Sequence, residues 1–461
     1  MLRSSLLSLL LFQVLLCLAY ASIEEIPCPD SLSNSTCGKL TVPLDHANPS
    51  TTVNISIHYA ITYPSIPTNS DIAFVLVPGG PGGSILTHSP RELTSLDLID
   101  ELKRPVILFD PRGTGNSSRL NCSLQAKPLS FDIDLLNIRR CFSEIGNEVF
   151  HYSTNAIVND LEMLRNALNF KQLDLFGVSY GTLISQAYGV LYPDSVHSML
   201  LDSPLPMRYT DLYEVRHHAA YARIHAEKNK HNPNFSARKF KNQLKSVLRR
   251  LRWNRTLRED LKIDPRILFH MYRFPSDSFA SSIASAANEK NYTGLKEIAR
   301  SLEPSVQPLR NFSVAMSVST LCNSMVDLVP WDIDAGFIER LTMLGYDVLR
   351  KVGLYGFSPF YLTEGFESLA KHCPAMSVPQ LRREGLPLDK GQQKYIPALV
   401  LVGDLDAITP MEDVVDLDAV LKNNVAVVKG ADHVVSLHPC GMLLFLEFAA
   451  HGAVSNMSAC Q

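Results

Sequence analysis

Gly177-Val178-Ser179-Tyr180-Gly181 is the segment of this chain best equipped for covalent chemistry. It follows an apolar run, Leu173 to Phe176, and precedes a helical pattern, so the serine falls on a tight strand-to-helix turn. Such a turn forces an unfavourable backbone at the serine and crowds its neighbours, so small residues are needed two positions before and two after it. The hydroxyl is thereby presented at a helix N-terminus, where developing negative charge is favoured. A helix-capping serine accounts for Ser179 but for neither glycine. Ser179 is therefore read as a nucleophile that attacks an acyl carbon.

An acyl-transfer serine needs donors for the oxyanion, a base and an acid. Val77-Pro78-Gly79-Gly80-Pro81-Gly82-Gly83-Ser84 follows the apolar run Phe74 to Val77, and its glycines let the backbone approach an oxyanion. The expected donors are the N–H groups of Tyr180 and Gly80, with Gly79 as the alternative to Gly80. Acid and histidine are expected, in that order, in loops after later strands. Gly403-Asp404-Leu405-Asp406-Ala407-Ile408-Thr409-Pro410 follows Leu399 to Val402, and Gly430-Ala431-Asp432-His433 follows Val425 to Val428. His433 is expected to take the proton of Ser179 and return it to the leaving group, while Asp406 holds the imidazole tautomer. Asp404, nearer the strand end, is the competing acid. His438, ahead of Pro439 and the last helix, is a weaker base. Activity should fall as His433 protonates, at pH ~6 to 7 unless its neighbours shift it.

The elements that must position these groups are legible as a pattern. Phe74 to Val77, Val106 to Phe109, Leu173 to Gly177, Ser198 to Leu201 and Leu399 to Val402 read as buried strands, alternating with helical segments such as Asn155 to Asn169, Thr182 to Leu191 and Cys440 to Ala450. That alternation predicts an α/β fold with a doubly wound, mostly parallel sheet. Leu40 to Leu44 and Val53 to Tyr63 alternate like antiparallel strands at one edge. The alternation stops after Pro204 and resumes near Ile396. The expected division is a signal peptide at 1–21, a first core part at 22–204, a mainly helical lid at 205–395 inserted after the sixth strand, and a second core part at 396–461. From Arg216 to Lys262 the lid carries fourteen Lys/Arg against three acids. The run reads as solvated helix faces, with attraction of an anionic substrate, a carboxylate end or a membrane headgroup as the functional alternative.

Met1-Leu2-Arg3, an apolar run to Leu18 and Ala19-Tyr20-Ala21 have the layout of a signal peptide cleaved after Ala21, and no later stretch is long enough to span a membrane. Eight cysteines then remain, and their neighbouring couples suggest Cys28–Cys37, Cys122–Cys141, Cys322–Cys373 and Cys440–Cys460 as disulfides. Glycosylation acceptors stand at Asn34, Asn54, Asn116, Asn121, Asn234, Asn254, Asn291, Asn311 and Asn456. These features place the protein outside the cell, with lysosome or vacuole as alternatives. Composition, with a net charge of −3, suggests neither disorder nor a nucleic-acid partner. No metal or organic cofactor is implied, because a triad with an oxyanion hole suffices for acyl transfer and no zinc-protease motif is present.

Five segments together resemble the secreted tripeptidyl aminopeptidase and prolyl aminopeptidase group of α/β-hydrolases. They are Cys37-Gly38-Lys39-Leu40-Thr41-Val42-Pro43-Leu44-Asp45, Gly79-Gly80-Pro81-Gly82, Asp110-Pro111-Arg112-Gly113-Thr114-Gly115-Asn116-Ser117, Gly177-Val178-Ser179-Tyr180-Gly181-Thr182 and the Gly403 to Pro410 loop, which supports Asp406. The resemblance implies the α/β-hydrolase fold and a serine exopeptidase acting near peptide N-termini. In the family an acid after a lid cysteine pairs with the substrate's amino end. Here Cys322 is followed by Asn323, Ser324 and Met325, with no acid before Asp327. Pro78 stands where prolyl members carry histidine, which favours the tripeptidyl branch. Asp110 to Ser117 reads as a brace for the oxyanion loop. The rival readings are a carboxylesterase or lipase on the same machinery, and a secreted binding protein that has lost turnover.

Overall fold

The apolar runs become strands buried on both faces. In a computed structural model, the described residues are 22–50, 53–68, 70–86, 96–120, 135–207, 215–263, 265–302, 313–324, 335–343, 373–376, 395–458 and 460. The expected signal peptide, Asn121, Cys122, Asn311 and Asp327 lie outside them.

Nine strands form one sheet: β1 (Ile23–Ile26), β2 (Thr36–Pro43), β3 (Asn54–Thr62), β4 (Ile72–Val77), β5 (Val106–Phe109), β6 (Gln172–Val178), β7 (Val196–Asp202), β8 (Ala398–Gly403) and β9 (Val425–Val428). Their spatial order is β1-β2-β3-β5-β4-β6-β7-β8-β9. The pairs β1·β2, β2·β3 and β3·β5 are antiparallel, and every pair from β5·β4 to β8·β9 is parallel. The helical insert expected to be a lid enters after the seventh strand in chain order rather than the sixth, because β1 adds to those anticipated. Ile23-Glu24-Glu25-Ile26 is too short and too irregular in its alternation to announce itself.

Alternate side chains of the parallel strands enter opposite cores, which is why these strands read as unbroken apolar runs. Phe74, Leu76, Phe176, Leu200 and Leu401 face a layer made by α1 (Leu96–Leu102) and the C-terminal helix Pro439–His451. Val75, Val77, Leu175, Leu201 and Val402 face α2 (Leu135–Ile145), α3 (Thr154–Ala167) and α4 (Tyr180–Leu191). Seven helices are described between β7 and β8: α5 (Val215–Lys228), α6 (Ala237–Trp253), α7 (Arg255–Leu261), α8 (Pro265–Arg273), α9 (Phe279–Asn288), α10 (Thr293–Leu302) and α11 (Val314–Ser324). The second core runs without interruption into them, through Tyr221, Leu244, Phe269 and Phe279. Beyond β8, the four-residue α12 (Ala419–Lys422) precedes β9, and Pro439–His451 is α13.

Disulfides join Cys28 to Cys37, Cys322 to Cys373 and Cys440 to Cys460. Cys141 is buried, while Cys122, its expected partner, lies outside the described residues. Among the described acceptor asparagines, Asn34, Asn54, Asn116, Asn234, Asn254, Asn291 and Asn456 are all exposed. No described helix is long and apolar enough to cross a membrane.

Candidate active site

Ser179 sits between β6 and α4 with φ 55° and ψ −122°, a conformation that costs a non-glycine residue energy and is held by its surroundings. The flanking glycines are steric requirements. A Cβ at Gly181 would lie 2.1 Å from the Val77 carbonyl oxygen, and one at Gly177 would lie 2.6 Å from that of Gly181. Gly79 passes so close that its Cβ would meet Ser179 Cβ at 3.1 Å, which sets the glycine loop after β4 directly against the serine. Within that loop Gly80–Pro81 is a cis peptide, and the N–H groups of Gly80 and Tyr180 have no hydrogen-bond partner among the described residues.

Asp406 and His433 are brought together from the loops after β8 and β9. His433 Nδ1 lies 2.9 Å from Asp406 Oδ2. Asp406 is sealed, whereas the His433 side chain is 17% exposed and reachable from outside. The carboxylate accepts the Ile408 and Thr409 N–H groups on Oδ1, at 2.7 and 2.9 Å, and the Thr409 hydroxyl on Oδ2 at 2.9 Å. Asp404 instead holds a turn, its Oδ1 accepting the Gly430 N–H at 2.7 Å. His438 caps α13, its Nδ1 accepting from the Cys440 N–H.

The serine is linked to the histidine's loop through the end of β7, a connection no motif disclosed. Ser179 N–H donates to the Asp202 carbonyl at 2.9 Å, and the Asp202 carboxylate accepts the Val435 and Ser436 N–H groups at 2.8 Å each. The Ser203 hydroxyl accepts the Val434 N–H at 3.0 Å. Two adjacent residues thus fix the backbone of Ser179 and the backbone leaving His433.

These carboxylates set the electrostatics. Burial alone would raise the Asp406 carboxyl, but the charge and hydrogen bond of His433, with the Thr409 and Ile408 N–H groups, hold it below the ordinary carboxylate value. Burial would likewise lower His433, but Asp406, then Asp202 and Asp432, raise it above the ordinary histidine value. Asp202 is pushed up by burial despite its backbone donors.

The glycine loop is braced from two sides. Asp110 Oδ1 accepts the Ser84 hydroxyl and the Ile85 and Leu86 N–H groups, at 2.8, 2.9 and 3.2 Å. Arg112, fully buried, donates to both oxygens of Asp160 and to the Pro43, Leu44 and His151 carbonyls, so the Asp110 to Ser117 segment fastens the loop to the sheet. On the other side stands lid helix α11, where the Ser313 N–H donates to Gly82 O at 2.9 Å and the Ser317 hydroxyl donates to Pro81 O. The far end of the same helix reaches, through Thr154, the side-chain hydroxyl of Tyr180, the residue of the other candidate donor. Thr154 Oγ1 is 2.6 Å from Ser324 Oγ and 2.8 Å from the Tyr180 hydroxyl. Asn323, which follows Cys322 where the resemblance would place an acid, is buried and donates to the Val149 and Tyr152 carbonyls. Helix α5 grips the acid loop in a similar way: Arg223 donates to Glu412 and to the Asp404 carbonyl, and Arg216 and His217 pair with Asp413. Among the described residues no His, Cys, Asp and Glu cluster has the makings of a metal site.

A family model described as alpha/beta hydrolase fold matches residues 72–438 of the chain. The tripeptidyl aminopeptidase of Streptomyces coelicolor is 32% identical over 188 residues, covering 36% of this chain and 34% of that one. Serine protease Hip1 of Mycobacterium tuberculosis is 29% identical over 209 residues, 39% of each chain. The proline iminopeptidase of Aeromonas sobria is 28% identical over 195 residues, 41% of each. The chain spans between about a third and two fifths of the length of these curated relatives.

Proposed function

The chain belongs to the α/β-hydrolase fold family, and on that premise we propose that it is a serine peptidase cutting peptides near their N-terminus through an acyl-enzyme on Ser179. The observation that carries this reading is the 2.9 Å bond between His433 and a sealed Asp406, together with the strained backbone of Ser179 on the turn after β6. Ser179 Oγ attacks the scissile carbonyl carbon while His433 Nε2 takes its proton. The oxyanion accepts the Tyr180 and Gly80 N–H groups, which have no partner to surrender among the described residues. Collapse breaks the C–N bond, and His433 returns the proton to the departing amine. A water, deprotonated by the same nitrogen, then attacks the acyl-enzyme and frees Ser179. Throughout, Asp406 stabilises the imidazolium and keeps Nδ1 protonated.

The peptide preference rests on the names of the relatives: tripeptidyl aminopeptidase, serine protease and proline iminopeptidase. Among the described residues, three disulfides and seven exposed acceptor asparagines support action in an oxidising, extracellular or lysosome-like compartment. The test is a matched panel given to the protein and to Ser179→Ala: di- and tripeptide amides with a free amino end, the same peptides N-acylated, and short-chain aryl esters. Serine-dependent cleavage confined to the free-ended peptides is expected. Ester cleavage with every peptide untouched would move the chain to the esterase reading.

A further inference from the structure

Helix α6 carries seven Lys/Arg and no acid, in a chain whose formal net charge is −3. Its apolar residues Phe240, Leu244, Val247 and Leu251 are buried, which leaves Arg238, Lys239, Lys241 and Arg249 exposed and Lys245 half-buried. Helical geometry puts Arg238, Lys245 and Arg249 within about 40° of one another around the axis and over about 16 Å of its length. Nearby ion pairs join Lys230 to Glu227 and Arg255 to Glu259, and among the described residues no acid pairs with Arg238, Lys239, Lys245 or Arg249. The row begins at a cleft of about 430 Å³ between α6 and the end of α9. Arg238 and Lys239 line it together with Asn242, Gln243, Ser246 and Asn288. Gln243 Nε2 has no hydrogen-bond partner among the described residues.

We propose that this cleft, and the cationic row leading from it, bind a sulfated polysaccharide. The guanidinium and ammonium groups match sulfate esters, while the amides and Ser246 match sugar hydroxyls. A single row fits a linear polyanion better than a flat one. An anionic membrane would use the cations and leave the buried Gln243 amide nitrogen idle. Nucleic acid is disfavoured because the disulfides point to an oxidising compartment. Helix α6 packs on lid helices α5, α7, α8 and α9, so the site does not depend on the assignment of Ser179.

The experiment is titration of the full chain with a heparin decasaccharide at low and physiological salt. Saturable binding that weakens as salt rises is expected. Arg238→Ala/Lys239→Ala and Lys245→Ala/Arg249→Ala should each weaken it at least tenfold with unchanged thermal melting. Lys171→Ala/Lys422→Ala, which removes equal charge from exposed positions elsewhere, should stay within twofold. Unsulfated hyaluronan should not bind. Equal losses in all three double variants would reduce the effect to net charge and overturn the proposal, as would tighter binding to phosphatidylserine vesicles than to the decasaccharide.

Discussion

His433 feels three carboxylates, Asp406, Asp202 and Asp432, and their charge outweighs the burial that would otherwise keep the ring neutral. A base must be neutral to accept a proton, so the acid limb of kcat/KM should have its midpoint above the ordinary ~6.5, with activity lost as pH falls through it. Replacing Asp202 by Asn removes one raising charge and keeps an acceptor for the backbone, so the midpoint should move to lower pH. An unmoved limb would mean that Asp202 has only a structural role. Asp406→Asn, which disturbs the tautomer itself, should cost on the order of 10⁴ in kcat. Ser179, Asp406 and His433 could be nominated from the sequence because each stands in a short loop after an apolar run, in a chain order the chemistry constrains, and the fold pairs the last two. Asp202 could not, since a strand-ending aspartate has no local signature and its partners lie more than 230 residues downstream.

At the scale of elements, the helical insert is fastened to the proposed catalytic loops by hydrogen bonds. Helix α11 reaches the glycine loop through Ser317, and the side chain of Tyr180, whose N–H is the other proposed oxyanion donor, through Ser324 and Thr154. Loss of either hydroxyl removes a buried bond of about 1 kcal/mol and lets a donor drift. Ser317→Ala and Ser324→Ala should therefore lower kcat about tenfold with KM nearly unchanged. Ser317→Thr, which keeps the hydroxyl, should recover part of the loss. A change in KM alone would place the effect in substrate entry instead. The glycine loop could be found from composition, because Gly-Gly-Pro-Gly-Gly exceeds what a turn requires. The role of α11 could not: Ser317 meets Pro81 across 236 residues of sequence, and a helix of small polar residues looks ordinary until its partners are known.

For the whole molecule, alternating apolar runs and helical patterns made the sheet legible, and β1 escaped because four residues carry too little periodicity. The segment between β7 and β8 could be read from sequence only as a helical insert, and its core is continuous with that of the sheet and contains buried histidines. His225 stacks on Tyr272 at 5.2 Å, and His218 lies 5.7 Å from Tyr221. Burial lowers each to about 4 from an unfolded value near 6.5. Between those limits the unfolded chain binds more protons than the folded one, so stability is full above pH 6.5 and declines as pH falls toward 4, by about 1.4 kcal/mol per histidine per pH unit. Urea melts followed by lid tryptophan fluorescence across that window should show the decline, and His218→Phe should flatten it. The most direct test of the account as a whole is peptide mapping after reaction with a fluorophosphonate, run beside His433→Ala. We predict one adduct per chain, on Ser179, formed at least a thousandfold more slowly in the variant; an unreactive Ser179 in the folded protein, or equal labelling without His433, would contradict it.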